Sequence, residues 1–262
     1  MRIDRTSLER GLLDVERRER IVAHLGEVGT ARIADLAAGL GVSPMTLRRD
    51  ADRIVADGLA ERVHGGLRGV APPVTQEPAP SAKAALHRVE KSRIARAAAE
   101  LVRPGTAIGI GAGTTTLALA PLVAAIEDVT IVTNSLPVAL ALTGRDRVVL
   151  LGGERTLSDA LVGPVANRTA SVIGLDLLLL GAHGIDEARG CTAPNLAEAE
   201  TNRALMAAAQ RTAVLADSSK WGSHGLASFA ALDELDVLLT DRALPAAAAR
   251  AVRRRCGQLV LV

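Results

Sequence analysis

Aromatic side chains are almost missing from this chain: it has one Trp, one Phe and no Tyr. A protein that grips single strands of nucleic acid by base stacking needs such rings, so that function is excluded. Cysteine is scarce as well. Cys191 and Cys256 have no CxxC spacing, which leaves neither a disulfide framework nor a zinc signature and reads as two reduced thiols. An excess of one charge is also lacking, since 31 Lys and Arg stand against 29 Asp and Glu. Any contact with DNA must then come from a local patch rather than the global charge. No apolar run reaches the roughly 18 residues of a membrane span, and the first residues lack the apolar core of a signal peptide. The chain is expected in the cytoplasm, with no membrane partner.

What is present is a long globular sequence, 262 residues with 48% hydrophobic content, enough for two domains. Near its start, Ser43 is a helix N-cap candidate and Pro44 fits the first helical position, where its missing N–H costs nothing. Leu47, Ala51 and Ile54 follow at i, i+4 and i+7 and turn one side of that helix to a core. Met45, Thr46, Arg48 and Arg49 then face outward near its beginning, suited to phosphates and base edges. Upstream, Ile33, Leu36, Ala37 and Leu40 give a second short helix ended by Gly41, and Arg17 to Leu25 a first one ended by Gly26 and Gly29. Helix, tight turn and capped helix make a helix-turn-helix. Two short segments around Gly65-Gly66 suggest a β-ribbon, a wing that would carry Arg62, His64 and Arg68 close to a DNA backbone.

Residues 17–66 resemble the N-terminal domain of DeoR-type bacterial transcription regulators. The resemblance lies in Val42-Ser43, Thr46-Leu47-Arg48-Arg49-Asp50, Gly58-Leu59 and Arg62-Val63-His64-Gly65-Gly66, with Ala51 standing where a leucine is usual. It implies DNA contacts by Ser43, Thr46, Arg48, Arg49, Arg62, His64 and Arg68. The domain is expected over 15–70, after an arm over 1–14. Pro72, Pro73, Pro78 and Pro80 mark a linker over 71–86, and a second domain follows over 87–262.

That second domain opens with a helix over His87–Val102, expected to turn Ile94, Ala97, Ala98 and Leu101 inward and Arg88, Lys91 and Arg96 outward. Apolar strand candidates then alternate with helices: Ala107–Ile110, Val129–Thr133, Val148–Leu151, Leu177–Leu180, Ala213–Leu215, Val237–Thr240 and Leu259–Val262. All-apolar strands between helices predict an α/β fold with a mainly parallel sheet covered on both faces, its ligand beyond the C-terminal strand ends. Several of those ends carry polar groups. Gly111-Ala112-Gly113-Thr114-Thr115-Thr116 runs into a helix and suits an anion, Thr133-Asn134-Ser135 ends the next strand, and Gly152-Gly153 lets a ligand approach backbone. His183-Gly184 and Lys220 end two more, with Lys220 as a point charge for phosphate. The acidic ribose partner of a dinucleotide site is missing, so a phosphate on a small sugar fits better than NAD, and no cofactor is expected.

About residues 90–241 also resemble the DeoR-type family, through Glu90-Lys91, Gly113-Thr114-Thr115, Thr133-Asn134-Ser135, Leu151-Gly152-Gly153, Val162-Gly163-Pro164, Glu198-Ala199-Glu200 and Asp217-Ser218-Ser219-Lys220. The resemblance implies a fold like ribose-phosphate isomerases and glucosamine-phosphate deaminases, sensing a phosphorylated sugar, with Glu198 able to touch a sugar hydroxyl. His183 stands where these regulators usually have Asp, and a neutral histidine accepts through one nitrogen only. Three readings follow. One is a repressor that binds double-stranded operator DNA under control of a sugar phosphate. Another is an isomerase or deaminase with an appended DNA domain, and the last a DNA-binding scaffold that has lost its ligand. Aldose–ketose chemistry needs a carboxylate base, and the isomerases' Gly-Ala-Asp-Glu is here Gly181-Ala182-His183-Gly184, which favours binding without turnover. His183, His224 and Cys191 match no metal spacing, so no metal is expected. One helix-turn-helix reads a short site, which predicts a homodimer or homotetramer on repeated half-sites.

Overall fold

The computed structural model describes residues 14–69, Lys83 and residues 86–262. The expected arm over 1–14, except Asp14, and the expected linker over 71–86, except Lys83 and Leu86, lie outside the described residues. The chain separates into two compact units, 1–73 and 74–262.

In the first unit, α1 (Asp14–Val28) is followed by β1 (Thr30–Arg32), α2 (Ile33–Leu40), α3 (Pro44–Ala56), β2 (Ala60–Val63) and β3 (Gly66–Gly69). The helix α1 does not stop at Gly26. One glycine costs a helix about 1 kcal/mol, which packing of Ile21 and Leu25 offsets. It ends at Gly29, whose φ of +75° is open to glycine and whose N–H reaches the Leu25 carbonyl at 2.9 Å. The expected caps hold: Gly41 closes α2 at φ 65°, and the Ser43 hydroxyl accepts from the Thr46 N–H. Leu47, Ala51 and Ile54 are buried with Ile21, Leu25, Leu36 and Leu67 in one small core. The ribbon is present, β2 pairing antiparallel with β3 and Val63 facing Gly66 across a two-residue turn. Unforeseen is β1, which adds a third strand along β3.

The second unit starts with α4 (Arg88–Ala99) and alternates β4 (Ala107–Ile110), α5 (Thr114–Ala124), β5 (Thr130–Thr133), α6 (Leu136–Ala141) and β6 (Val148–Leu150). Next come a hairpin of β7 (Glu154–Arg155) and β8 (Leu161–Val162), then α7 (Pro164–Ala170), β9 (Leu177–Gly181), β10 (Gly184–Asp186), β11 (Gly190–Ala193) and α8 (Leu196–Ala207). The chain closes with β12 (Thr212–Leu215), a 3-10 turn at Ser218–Lys220, β13 (Ala227–Ala230), β14 (Val237–Thr240), α9 (Ala246–Arg255) and β15 (Gln258–Leu261). Seven strands form one sheet in the order β15-β14-β12-β9-β4-β5-β6. Its pairings are all parallel, and its strands are the seven expected ones.

The apolar strand composition has a direct cause. Along β9, Leu178 and Leu180 enter one core while Leu177 and Leu179 enter the other, on the opposite face. Beginning at β4, the chain builds outward to β5 and β6, then returns to add β9, β12, β14 and β15 on the other side. The order therefore reverses between β4 and β9, and the crevice beyond their C-terminal ends is where ligands of such sheets sit.

One orientation is corrected. Lys91 is buried rather than outward, because it shares the face of Ile94, Ala95 and Ala98 at i, i+3, i+4 and i+7. Its ammonium donates to the carbonyls of Leu86, at 2.7 Å, and of Lys83. A small antiparallel sheet of β10, β11 and β13 also went unforeseen.

Candidate functional site

The start of α3 is built on its cap. The Ser43 hydroxyl accepts from the Thr46 N–H at 3.1 Å and lies 2.9 Å from the Thr46 hydroxyl, so Ser43 first of all fixes the turn and orients Thr46. Met45, Arg48 and Arg49 are exposed beside them. On the ribbon, His64 is exposed at the turn, Arg62 pairs with Asp52 of α3, and Arg68 pairs with Glu61 on the facing strand. Exposed pairs of this kind contribute under about 1 kcal/mol, so a phosphate can displace either carboxylate at small cost.

Asp50 does something else. It is buried on the inward face with Leu47, Ala51 and Ile54, and its carboxylate takes two bonds from the guanidinium of Arg17, at 2.6 and 3.2 Å. Arg17 is itself buried, and a third bond at 2.8 Å goes to Asp14. These carboxylates hold Arg17 firmly charged, and Arg17 in turn draws the Asp14 carboxyl below its usual range. The reading helix is thereby pinned to α1. Asp50 lies three residues after Leu47 and four before Ile54, and that spacing carried the signal.

In the second unit, a cavity of about 80 Å³ opens where the sheet order reverses. It is open to solvent on one side and lined by polar and charged groups as well as apolar ones. Gly113, Thr114 and Thr115 line it at the start of α5, where unpaired N–H groups favour an anion. Asn134 lines it from the end of β5 and is held by Leu161: its Nδ2 donates to that residue's carbonyl at 3.2 Å, and its own carbonyl accepts the Leu161 N–H. Its buried Oδ1 has no partner. Glu198, on α8, presents a carboxylate that accepts from Asn195 at 3.0 Å and from Ser158. His183 and Lys220 complete the expected set. Burial, helped by the charges of Lys83 and Lys220, drives His183 down to about 4, so it is neutral. Burial also lowers Lys220, against the pull of Asp217.

A larger groove of about 410 Å³ lies along α6 and β6, lined by Leu136, Pro137, Ala139, Leu140, Leu150, Arg155 and Asp159. It is mostly apolar, and its one cation, Arg155, is paired with Asp159 at 2.5 Å. The chemistry for an anion is in the smaller cavity.

Comparison with known proteins agrees with this division of labour. Residues 17–71 match the DeoR-like helix-turn-helix domain, and residues 86–242 match the DeoR C terminal sensor domain. The chain belongs to the DeoR family. Relatives of this DeoR-family chain include the putative aga operon transcriptional repressor of Escherichia coli O157:H7, 34% identical over 94% of this chain and 93% of that protein. The HTH-type transcriptional regulator GlpR of Haloferax volcanii is 35% identical over 90% and 92%. A lactose phosphotransferase system repressor of Staphylococcus epidermidis is 32% identical over 86% and 91%. Among solved structures, ribose 5 phosphate isomerase A from Neisseria gonorrhoeae aligns over 51% of this chain and 53% of its own at 23% identity and a TM-score of 0.38, too loose a likeness to argue from.

Half of the residues expected around the sensor's ligand do not line the cavity. Gly111 packs against β9, where a Cβ would sit 2.5 Å from a methyl of Leu180. Thr116 is fully buried, its hydroxyl donating to the Gly113 carbonyl at 3.0 Å. The Thr133 hydroxyl donates to the Ile110 carbonyl at 2.6 Å and accepts the Ser135 N–H, while the Ser135 hydroxyl caps α6 by accepting from Val138 at 3.4 Å. Gly152 and Gly153 belong to the turn into the β7–β8 hairpin: a Cβ on Gly152 would meet Val165 at 3.1 Å, and one on Gly153 the Val162 carbonyl at 2.4 Å. Gly184 lies in β10 under the Ser223 carbonyl, 2.0 Å from where a Cβ would stand. All seven serve local packing and hydrogen bonding rather than the cavity wall. Conversely Lys83, Ser158, Thr192, Asn202 and Phe229 line the cavity and were not foreseen. They come from the expected linker, the hairpin, β11, the second turn of α8 and β13, none of which carried a strand-end signal. Among the described residues no group of His, Cys, Asp or Glu gathers as a metal site, and no helix is long and apolar enough to cross a membrane. His224 Nδ1 instead lies 2.7 Å from Asp186.

Proposed function

We propose that this chain is a cytoplasmic, sequence-specific repressor of carbohydrate-metabolism genes whose hold on double-stranded operator DNA is set by a phosphorylated sugar. Thr46, Arg48 and Arg49 enter a major groove, and Arg62, His64 and Arg68 touch backbone from the ribbon. Dimers or tetramers place two such readers on repeated half-sites. The names borne by the relatives, repressors of aga and lactose systems, support the class of genes. The single observation that carries the sensing role is the cavity lining, where the start of α5, Lys220 and the unpartnered Oδ1 of Asn134 converge at the sheet's reversal. An anion answers the first two, and a hydroxyl donor answers the third.

Binding occurs without turnover. Glu198 is the carboxylate that lines the cavity, and Asn195 and Ser158 already engage one of its oxygens. Asp186, Asp217 and Asp241 also lie near strand ends but are not part of the lining, so none of them is placed at the cavity as a base for a sugar carbon. The test is fluorescence anisotropy on labelled promoter fragments from beside the gene, with ribose and glucosamine phosphates added in turn. Specific binding that a sugar phosphate shifts 5–150-fold, the range of about 1–3 kcal/mol of coupling, is expected. Protein that ignores every such fragment, or that converts the sugar phosphate, refutes the reading.

A further inference from the structure

We infer that the groove along α6 and β6 seats a second copy of this chain, and that the β7–β8 hairpin ties that interface to the sensor cavity. The inference rests on the reading above, in which two readers meet repeated half-sites, and adds where the copies join. The strand β6 ends the seven-stranded sheet and, among the described residues, pairs with β5 alone. It is wholly apolar, and its Val149 and Leu150 are exposed. Neither a charge nor a proline within it blunts the edge, as such edges need when nothing covers them. The opposite edge is treated differently: Leu259 and Leu261 of β15 pack onto Leu244 and the start of α9. Beside β6, Leu140 of α6 stands on the groove wall with 72% of its surface exposed.

Charge decides what covers this face. The cation and the anion of the groove, Arg155 and Asp159, are paired with each other at 2.5 Å, so the wall is neutral. Nucleic acid or an acidic peptide would find nothing there to neutralise it. A second copy brings the same apolar wall and the same ion pair, and a two-fold axis sets like against like without leaving a charge unmatched. The hairpin then carries the connection inward. Arg155 and Asp159 line the groove, whereas Ser158 and Ala160, from the same turn, line the sensor cavity. Ser158 donates there to Glu198 of α8. A ligand that draws Glu198 away from Ser158 frees the hairpin on its cavity side and so acts on its groove side. The second copy must act back on the ligand by the same factor.

The test is sedimentation equilibrium on the full chain, with and without ribose 5-phosphate or glucosamine 6-phosphate. The wild type should associate at micromolar concentration. Leu140→Glu and, independently, Leu150→Lys should weaken association at least about thirtyfold with an unchanged dichroism spectrum, while Val172→Glu, on the exposed turn after α7, should change nothing. A sugar phosphate should shift the association constant at least about fivefold, and Ser158→Ala should lose most of that shift. A wild type that stays monomeric leaves the groove to another partner and overturns the inference, as does unaltered association in both groove variants. Operator binding and its response, read by anisotropy, then still decide the sugar-phosphate reading separately. A sugar phosphate that binds by calorimetry without moving the constant overturns the link through the hairpin. If none binds, the sugar-phosphate reading falls and the interface stands on the groove variants.

Discussion

Replacing Asp50 by alanine removes the partner of a buried cation. The side chain of Arg17 is 8% exposed and that of Asp50 5%, and the contact is two-pronged. In Asp50→Ala the guanidinium loses its two-pronged buried carboxylate, and Asp14, whose side chain is 67% exposed, is a poor substitute for it. Breaking a buried pair from one side costs about 3–5 kcal/mol. The first unit, of this size, has roughly 3–8 kcal/mol of stability in all. The loss therefore brings it to the edge of unfolding, a fall of about 12–24 °C or more at ~4–8 °C per kcal/mol. The assay separates the units without dividing the chain. Trp221 is the only Trp and lies in the second unit, so its fluorescence reports that unit, while helical circular dichroism reports both. Asp50→Ala should lower the first dichroism transition and leave the Trp221 transition in place, with operator binding lost in proportion. The double variant Arg17→Met with Asp50→Leu should recover most of the stability, because replacing both partners leaves no unpaired charge. A shift below about 0.5 kcal/mol for Asp50→Ala would refute the account of how α3 is held.

Arg48→Ala should weaken operator binding and reduce the slope of log K against log salt by about 0.9 if Arg48 contacts one phosphate; unchanged binding would take that face of α3 off the DNA. Burial and the charges of Lys83 and Lys220 push His183 down to about 4 from the ordinary 6.5, so the native state binds fewer protons than the unfolded state between those values. His183 therefore leaves stability unchanged above about pH 6.5 and lowers it as pH falls toward 4, by less than the full shift because the ring is partly exposed; urea unfolding of His183→Asn should lack that part of the pH dependence. Asn134→Leu removes the buried acceptor without a partner, so it should leave stability within about 1 kcal/mol of wild type or raise it while abolishing effector binding; intact binding would show that Oδ1 meets no ligand. Sugar phosphate should perturb Trp221 fluorescence because Trp221 follows Lys220, and the signal should vanish in Lys220→Ala.

The parallel sheet was legible because both its faces are covered. Strands such as Leu177–Leu180 then have no polar alternation to blur them. The short strands β1, β7, β8, β10, β11 and β13 were not, because two to four residues carry no period of their own and are extended only by pairing. At the site, residue type pointed to the right loops but not to the right atoms. Thr114 and Thr116 read alike in sequence, yet one faces the cavity and the other closes a hydrogen bond behind it. Lys91 was read as a surface charge by chemistry when its helical spacing put it inside. Lys83 sat among prolines in what reads as a linker, and only the fold brings it to the cavity.

His183 shows how one substitution reshapes what such a cavity selects. An aspartate there, where these regulators usually carry one, would face two lysines, neutralise one of them and offer two acceptor oxygens to sugar hydroxyls. The neutral imidazole, pushed below its ordinary range by burial and by those same lysines, offers one acceptor and no charge. Other acceptors on the wall include Glu198, which shares one oxygen with Ser158 and Asn195, the unpartnered Oδ1 of Asn134, the hydroxyls of Thr114 and Thr115 and the amide of Asn202. On the sugar-phosphate reading proposed above, His183 gives the ligand one acceptor fewer than an aspartate would.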